Sequence, residues 1–191
     1  MSTHLDAEEN ISAPPMECDP MSFHKLVECL ESQSTPPTLE QLNIWLANAR
    51  ISREDLRAYT GFKEGNYQHL YRVFRNDSVE MLVLCWRPGH KTPIHDHNGS
   101  HGAVKVHEGV LWETTFAYDK DRGLCYRTMR ECQAGEITGA GVPDIHQLGN
   151  PEVSGQDLIT IHIYAPPLGV LNTYKVGSPV IDLYTPDDSE A

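Results

Sequence analysis

From about residue 67 to residue 174 the chain alternates short stretches rich in Val, Ile, Leu, Thr and Tyr with clusters of Gly, Pro, Asn and Asp. That pattern belongs to β-strands joined by tight turns. Strands are expected at Leu70–Phe74, Val79–Trp86, Ala103–His107, Val110–Tyr118, Leu124–Met129, Glu136–Thr138, Gln147–Leu148, Leu158–Tyr164 and Leu171–Tyr174. Arg75-Asn76-Asp77, Glu108-Gly109 and the run from Asp119 to Gly123 read as turns. Short strands at this density, with no helix between them, favour an all-β barrel or jelly roll.

A helical segment precedes the strands. Phe23, Leu26, Val27 and Leu30 recur at helix spacing, and the run stops before Pro36-Pro37. Thr38 with Gln41 has the form of a capping box ahead of Leu39, Leu42, Ile44, Trp45 and Leu46. Ser52 can cap a third short helix, Arg53 to Tyr59, closed by Gly61. The expected organisation is an acidic, disordered tail over residues 1–20, helices over 21–62, the β-barrel over 63–180 and a second acidic tail over 181–191.

Composition narrows the function. A formal charge of -12 in 191 residues argues against nucleic acid as a partner, because a phosphate backbone needs a basic surface. No apolar run approaches the roughly 20 residues needed to cross a bilayer, and MSTHLDAEEN is too acidic for a signal peptide. A cytoplasmic monomer acting on a small molecule is the expectation. The five cysteines form no CxxC pair, so neither a disulfide framework nor a cysteine zinc site is suggested. The ten histidines are the more informative set.

His95 and His97 flank Asp96 in GHKTPIHDHNGSHGAVKVHEG, and His146 follows in GVPDIHQLGN. Residues two apart on a strand share a face, so His95 and His97 can converge on one ion. A third imidazole from a neighbouring strand would complete a facial triad with about three octahedral positions open. Met81, Trp86, Trp112 and Phe116 read as core, not as a cofactor box. Asp96 points away from its neighbours and reads as a hydrogen-bonding partner at a strand end.

The spacing of Gly89, His95, His97 and Gly109 resembles the first cupin motif, G-x5-HxH-x3,4-E-x6-G, at every fixed position except the glutamate, which is Gly102. Gly135, His146 and Asn150 match the second motif, which departs at Gly141 and Pro143. With HDH-x3-H at His95 to His101, LVLCW before it and His162-Ile163-Tyr164-Ala165-Pro166-Pro167 late in the chain, the sequence resembles the cysteine dioxygenase family of cupins. The likeness covers about residues 67 to 170.

The resemblance implies an iron(II) enzyme in which His95, His97 and His146 hold Fe(2+), although zinc or nickel would suit the same imidazoles. It implies that a small thiol, L-cysteine, is taken with O2 to the sulfinic acid, without an organic cofactor. Tyr164 and His162 become catalytic, the tyrosine hydroxyl facing the reacting centre and the histidine holding it. Arg72 becomes the holder of the substrate carboxylate, with Tyr67 and His69 as lesser candidates. Gln68 keeps open a branch that prefers 3-mercaptopropionate. Vertebrate members link the tyrosine to a cysteine; the matching position is Gly102, so no such link is expected and the chain resembles the bacterial branch. The family also often has a cis bond before the first proline of the pair, here Ala165-Pro166. His101 is expected beside the site but not as a ligand, and His107, His90, His24 and His4 at structural or surface positions. A metal cupin acting on another small anion, or a cupin that only binds a ligand, remain the alternatives.

Overall fold

The computed structural model describes residues 20–65, 68–141 and 144–185. Tyr67, Pro143, His4 and residues 1–19 and 186–191 of the expected terminal tails lie outside these residues. Among the described residues no helix is long and apolar enough to cross a membrane.

In chain order the elements are β1 (Met21–Ser22), α1 (Phe23–Glu31), α2 (Leu39–Asn48), β2 (Ala49–Arg50), β3 (His69–Arg75), β4 (Glu80–Trp86), β5 (Ile94–Asp96), β6 (His101–Glu108), β7 (Val110–Asp119), β8 (Gly123–Gln133), β9 (Ile137–Ala140), β10 (Ile145–Gly149), β11 (Leu158–Ala165), β12 (Leu171–Tyr174) and β13 (Ile181–Tyr184). Both helices start as their sequence dictates. Ser22 accepts from the backbone of Lys25, and Thr38 and Gln41 cap each other reciprocally. Ser52 exchanges hydrogen bonds with Asp55, but the segment after it forms only turns and a single 3-10 turn, Arg57–Tyr59. Gly61 does not close that turn with a left-handed residue. Its missing side chain instead makes room for the Tyr71 hydroxyl.

Two sheets make a jelly roll. One has the strand order β13-β12-β5-β10-β7-β8, the other β3-β4-β11-β6-β9. No ladder between named strands joins them, so the barrel is closed by side chains: Leu82, Leu84, Trp86, Val104 and Tyr164 of one sheet pack with Leu111, Cys132 and Leu148 of the other. Ile181–Tyr184, expected to begin a tail, pairs with β12 and extends the first sheet. Ala165-Pro166 is a cis peptide bond.

The five-stranded sheet is buried on both faces. In β4, Met81, Val83 and Cys85 point outward to Leu26, Leu30, Leu42 and Leu46 of the helices, and in β11 Ile159, Ile161 and Ile163 do the same. The alternate residues, Leu82, Leu84 and Trp86 of β4 and Leu158 and Tyr164 of β11, point inward. From β6, Lys105 donates to the carbonyls of Leu46 and Ala49, and the His101 Nε2 lies 2.7 Å from the Pro37 carbonyl. These contacts fasten the helices to the outer face, and they turn His101 away from the site it was expected to border. Burial lowers the Lys105 pKa.

The six-stranded sheet is different. Trp112 and Phe116, expected in the core, are only half-buried; Trp112 donates to Glu131 and Phe116 meets the exposed Tyr126 edge-on. The reason is the strand period: Leu111 and Glu113 take the inward positions of β7, which leaves Trp112 outside.

Candidate metal centre

His95, His97 and His146 meet inside the jelly roll. Each is buried, and one ligand nitrogen from each lies within 4.8 Å of the others. Their ring centroids form a near-equilateral triangle with sides of 5.1, 4.9 and 4.9 Å. His95 sits on the three-residue β5, directly opposite His146 on β10, and His97 follows β5 by one residue. The histidine spacing implied a strand here, yet none was expected from apolar pattern because TPIHDH carries no apolar alternation. Its pairing with β10 and β12 makes it a strand.

Each imidazole has an oxygen behind its Nδ1, hydrogen-bonded for His95 and His146, whereas His97 and Asp144 are near each other without a hydrogen bond. The Nδ1 of His95 lies 2.9 Å from the Pro93 carbonyl, that of His97 lies 3.3 Å from the Asp144 carboxylate, and that of His146 lies 3.0 Å from Glu113. The Nε2 atoms of His97 and His146 are buried and have no hydrogen-bond partner. Buried polar atoms without partners call for an explanation, and a shared divalent ion supplies one. Burial, reinforced by the neighbouring His146 and His97, holds the His95 pKa well below its ordinary value. A neutral imidazole is the form that binds metal. The donor set fits a divalent ion of the imidazole-binding class.

Glu113 was not singled out from sequence, although a carboxylate at an inward position of a strand, two residues after Leu111, is a readable signal. Its Oε2 accepts from the Thr138 hydroxyl at 2.8 Å and from Arg130 at 2.7 Å, while Oε1 faces His146. Burial works to raise its pKa, but the His146 hydrogen bond, Arg130 and Thr138 prevail and hold it at about 2.

Tyr164 faces the triad from the opposite sheet, its ring 5.1 Å from that of His97. Its hydroxyl lies 2.9 Å from His162 Nδ1; His162 Nε2 lies 2.8 Å from the Thr160 hydroxyl, to which the Trp86 indole donates at 2.8 Å. Thr160 is a further residue the sequence reading passed over, yet it shares the inward face of β11 with His162 and Tyr164. Burial lowers the His162 pKa to about 3 and raises that of Tyr164. The pair is therefore a neutral imidazole and a protonated phenol at ordinary pH.

Tyr164 lies directly across from Gly102 on β6. A Cβ at Gly102 would come within 2.6 Å of the tyrosine ring. The glutamate of the first cupin motif has no room here while Tyr164 keeps this place.

Arg72 lies opposite Leu82 on the face of Leu70, whose side chain packs with the inward cluster containing Tyr164. Its Nε is 3.7 Å from the buried Glu80 carboxylate, which also takes Arg75 at 3.1 Å and the backbone N–H of Leu168 at 2.6 Å. His69 is turned the other way, edge-on to Tyr71 at 4.3 Å and opposite Cys85. It does not face the triad. Gln68 has a buried Oε1 with no hydrogen-bond partner among the described residues. Asp96 accepts from Asn98, Asn172 and Tyr174, a structural junction between β5 and β12.

Comparison with known proteins shows the family. The family cysteine dioxygenase type I matches residues 41–176. The chain belongs to the cysteine dioxygenase family. It is 29% identical to human cysteine dioxygenase type 1 over 122 residues, covering 61% of this chain and 59% of the human one. The bovine enzyme is 29% identical over 167 residues, 77% of this chain and 82% of the relative. The zebrafish one is 24% identical over 166 residues, 81% and 80% of the two chains. The match to the human relative thus spans less than two thirds of that protein. Among solved structures, a Klebsiella pneumoniae protein with a double-stranded β-helix domain superposes with a TM-score of 0.51 at 17% identity, covering 62% of this chain and 88% of that one. It shares the cupin fold.

Proposed function

We propose that the chain is an iron(II)-dependent thiol dioxygenase that converts L-cysteine to cysteine sulfinic acid with O2. The observation that carries the reading is the pair of buried, partnerless imidazole Nε2 atoms in a triad that faces a buried tyrosine. Iron held by His95, His97 and His146 would bring a thiolate and dioxygen to one centre and pass electrons between them. The thiolate sulfur is oxidised, O2 is reduced by four electrons, and both oxygen atoms end on sulfur.

The chain's own residues set the surroundings. With the Thr160 hydroxyl donating to His162 Nε2, the imidazole carries its proton on Nδ1 and donates to the Tyr164 oxygen. The phenolic hydrogen is then directed to the triad, where it can stabilise charge that develops on oxygen. Leu82, Leu84, Trp86 and Leu148 keep water from this space. Arg72 is assigned to the substrate carboxylate on the strength of its face and its link to Glu80. Gln68 keeps 3-mercaptopropionate open as the second reading.

Oxygen uptake by the iron-loaded protein, measured with cysteine, 3-mercaptopropionate and cysteamine, tests the proposal. One O2 consumed per sulfinate formed, with both labelled atoms in the product, is the expected result. Uptake with none of the three thiols overturns it.

A further inference from the structure

Three imidazoles bring no negative charge to an ion, and Gly102 removes the anionic ligand of the first cupin motif. Two carboxylates nevertheless stand directly behind the ligands. Glu113, 4% exposed, meets Nδ1 of His146, and Asp144 meets Nδ1 of His97, whereas His95 has only the neutral Pro93 carbonyl.

We propose that Glu113, opposed by Arg130, is a positioning residue that sets the charge of the metal centre. The anion withheld from the ligand set is supplied one layer further out. There it favours the higher oxidation state without occupying a coordination position. The inference rests on the iron reading given above.

The two carboxylate oxygens divide the task. Oε2 is pinned by Thr138 and by both Nε and Nη2 of Arg130, each 2.7 Å away, which leaves Oε1 for the imidazole. An ionised carboxylate only accepts hydrogen bonds. His146 must therefore carry its proton on Nδ1 and turn an unprotonated Nε2 inward. A partner of this kind also raises the basicity of the ligand. Arg130 acts in the opposite sense. Its side chain is 51% exposed, so it reaches from the outer rim of the sheet to a carboxylate beside a ligand, and its positive charge offsets part of the negative one.

This arrangement predicts opposite signs from neighbouring substitutions. In the iron-loaded full chain without thiol, Glu113→Gln should raise the ferric/ferrous midpoint potential, about 59 mV for each tenfold change in the oxidised-to-reduced ratio. Arg130→Met should lower it, because the carboxylate then acts unopposed. Thr138→Val, which removes a hydrogen bond but no charge, should fall between them. Cobalt(II) titration followed by d–d absorption should show affinity lowered about tenfold or more in Glu113→Gln and undiminished in Arg130→Met.

A role confined to packing would move Glu113→Gln and Arg130→Met the same way, and that result, or no shift in either, overturns the proposal. A wild-type protein that takes up cobalt but not iron overturns the iron reading instead, and the contrast between Glu113→Gln and Arg130→Met is then read from the cobalt affinities, equal losses in the two overturning the proposal.

Discussion

The two sheets face each other across one interior but carry different duties. The six-stranded sheet, with β5 and the residues just after it, supplies all three candidate ligands, and β7 of that sheet supplies Glu113, while its outer side reaches solvent through Tyr126 and Met129. The five-stranded sheet supplies Trp86, Thr160, His162 and Tyr164 from strands buried on both faces and backed by helices. The candidate ligands can rest on short strands because His95 and His146 are each pinned through Nδ1 and His97 has the Asp144 carboxylate nearby. The hydroxyl opposite has no such individual anchor beyond His162, and its place is set by packing: β11 between β4 and β6, and Gly102 beneath the ring.

The strongest way to break this division is to remove a ligand. His95→Ala takes away an imidazole whose Nδ1 meets only a backbone carbonyl, so it leaves no carboxylate stranded. The expected result is loss of iron on purification and a fall in thiol oxidation beyond the roughly 100-fold that losing an outer partner costs. The Trp86–Thr160–His162–Tyr164 chain should persist, since it belongs to the other sheet. Iron content and far-ultraviolet circular dichroism on one preparation check both halves. A variant that keeps full iron and full activity would dissolve the triad.

A smaller effect is expected from the opposite side. Tyr164→Phe keeps the ring over Gly102 and removes only the hydroxyl. Iron content should be unchanged while kcat falls about 100-fold, the scale of one lost donor to a developing oxyanion. Equal losses of iron and activity would place Tyr164 with the ligands and erase the contrast between the sheets.

The same contrast explains what could be read from the sequence. β4 and β11 stood out because both faces are buried, which yields near-continuous apolar runs, while His162 and Tyr164 were marked by the resemblance of the segment ending in Pro166-Pro167 to the family. His95, His97 and His146 stood out by spacing. β5 did not, because its three residues are strand only through pairing with β10 and β12. Trp112 and Phe116 were placed inside on hydrophobicity alone, when the period of β7 gives the inward positions to Leu111 and Glu113. Asp144 had no local signal, since its relation to His97 is made across the fold. β13 was hidden by the acidic residues that follow it.

The smallest effect separates the interior histidines from Glu113 by pH in the metal-free protein. His162 titrates at about 3 in the fold against 6.5 in an unfolded chain. Between those values the unfolded state binds a proton that the folded state refuses, so stability is complete above pH 6.5 and declines as pH falls toward 3. His95, also lowered, adds to the same decline. Glu113 titrates at about 2 in the fold against 4.5 unfolded, so its contribution is complete above pH 4.5 and is lost only between 4.5 and 2. Loss between pH 6.5 and 4.5 therefore belongs to the histidines, and Glu113 enters below it. Urea unfolding across this range should show His162→Gln reducing the dependence of stability on pH by up to about one proton in the lower part of that window, nearest pH 4.5, with Glu113→Gln changing it only below 4.5. If wild type and His162→Gln run parallel from pH 6.5 to 4.5, the imidazole is not buried in the neutral form that its contacts with Thr160 and Tyr164 require.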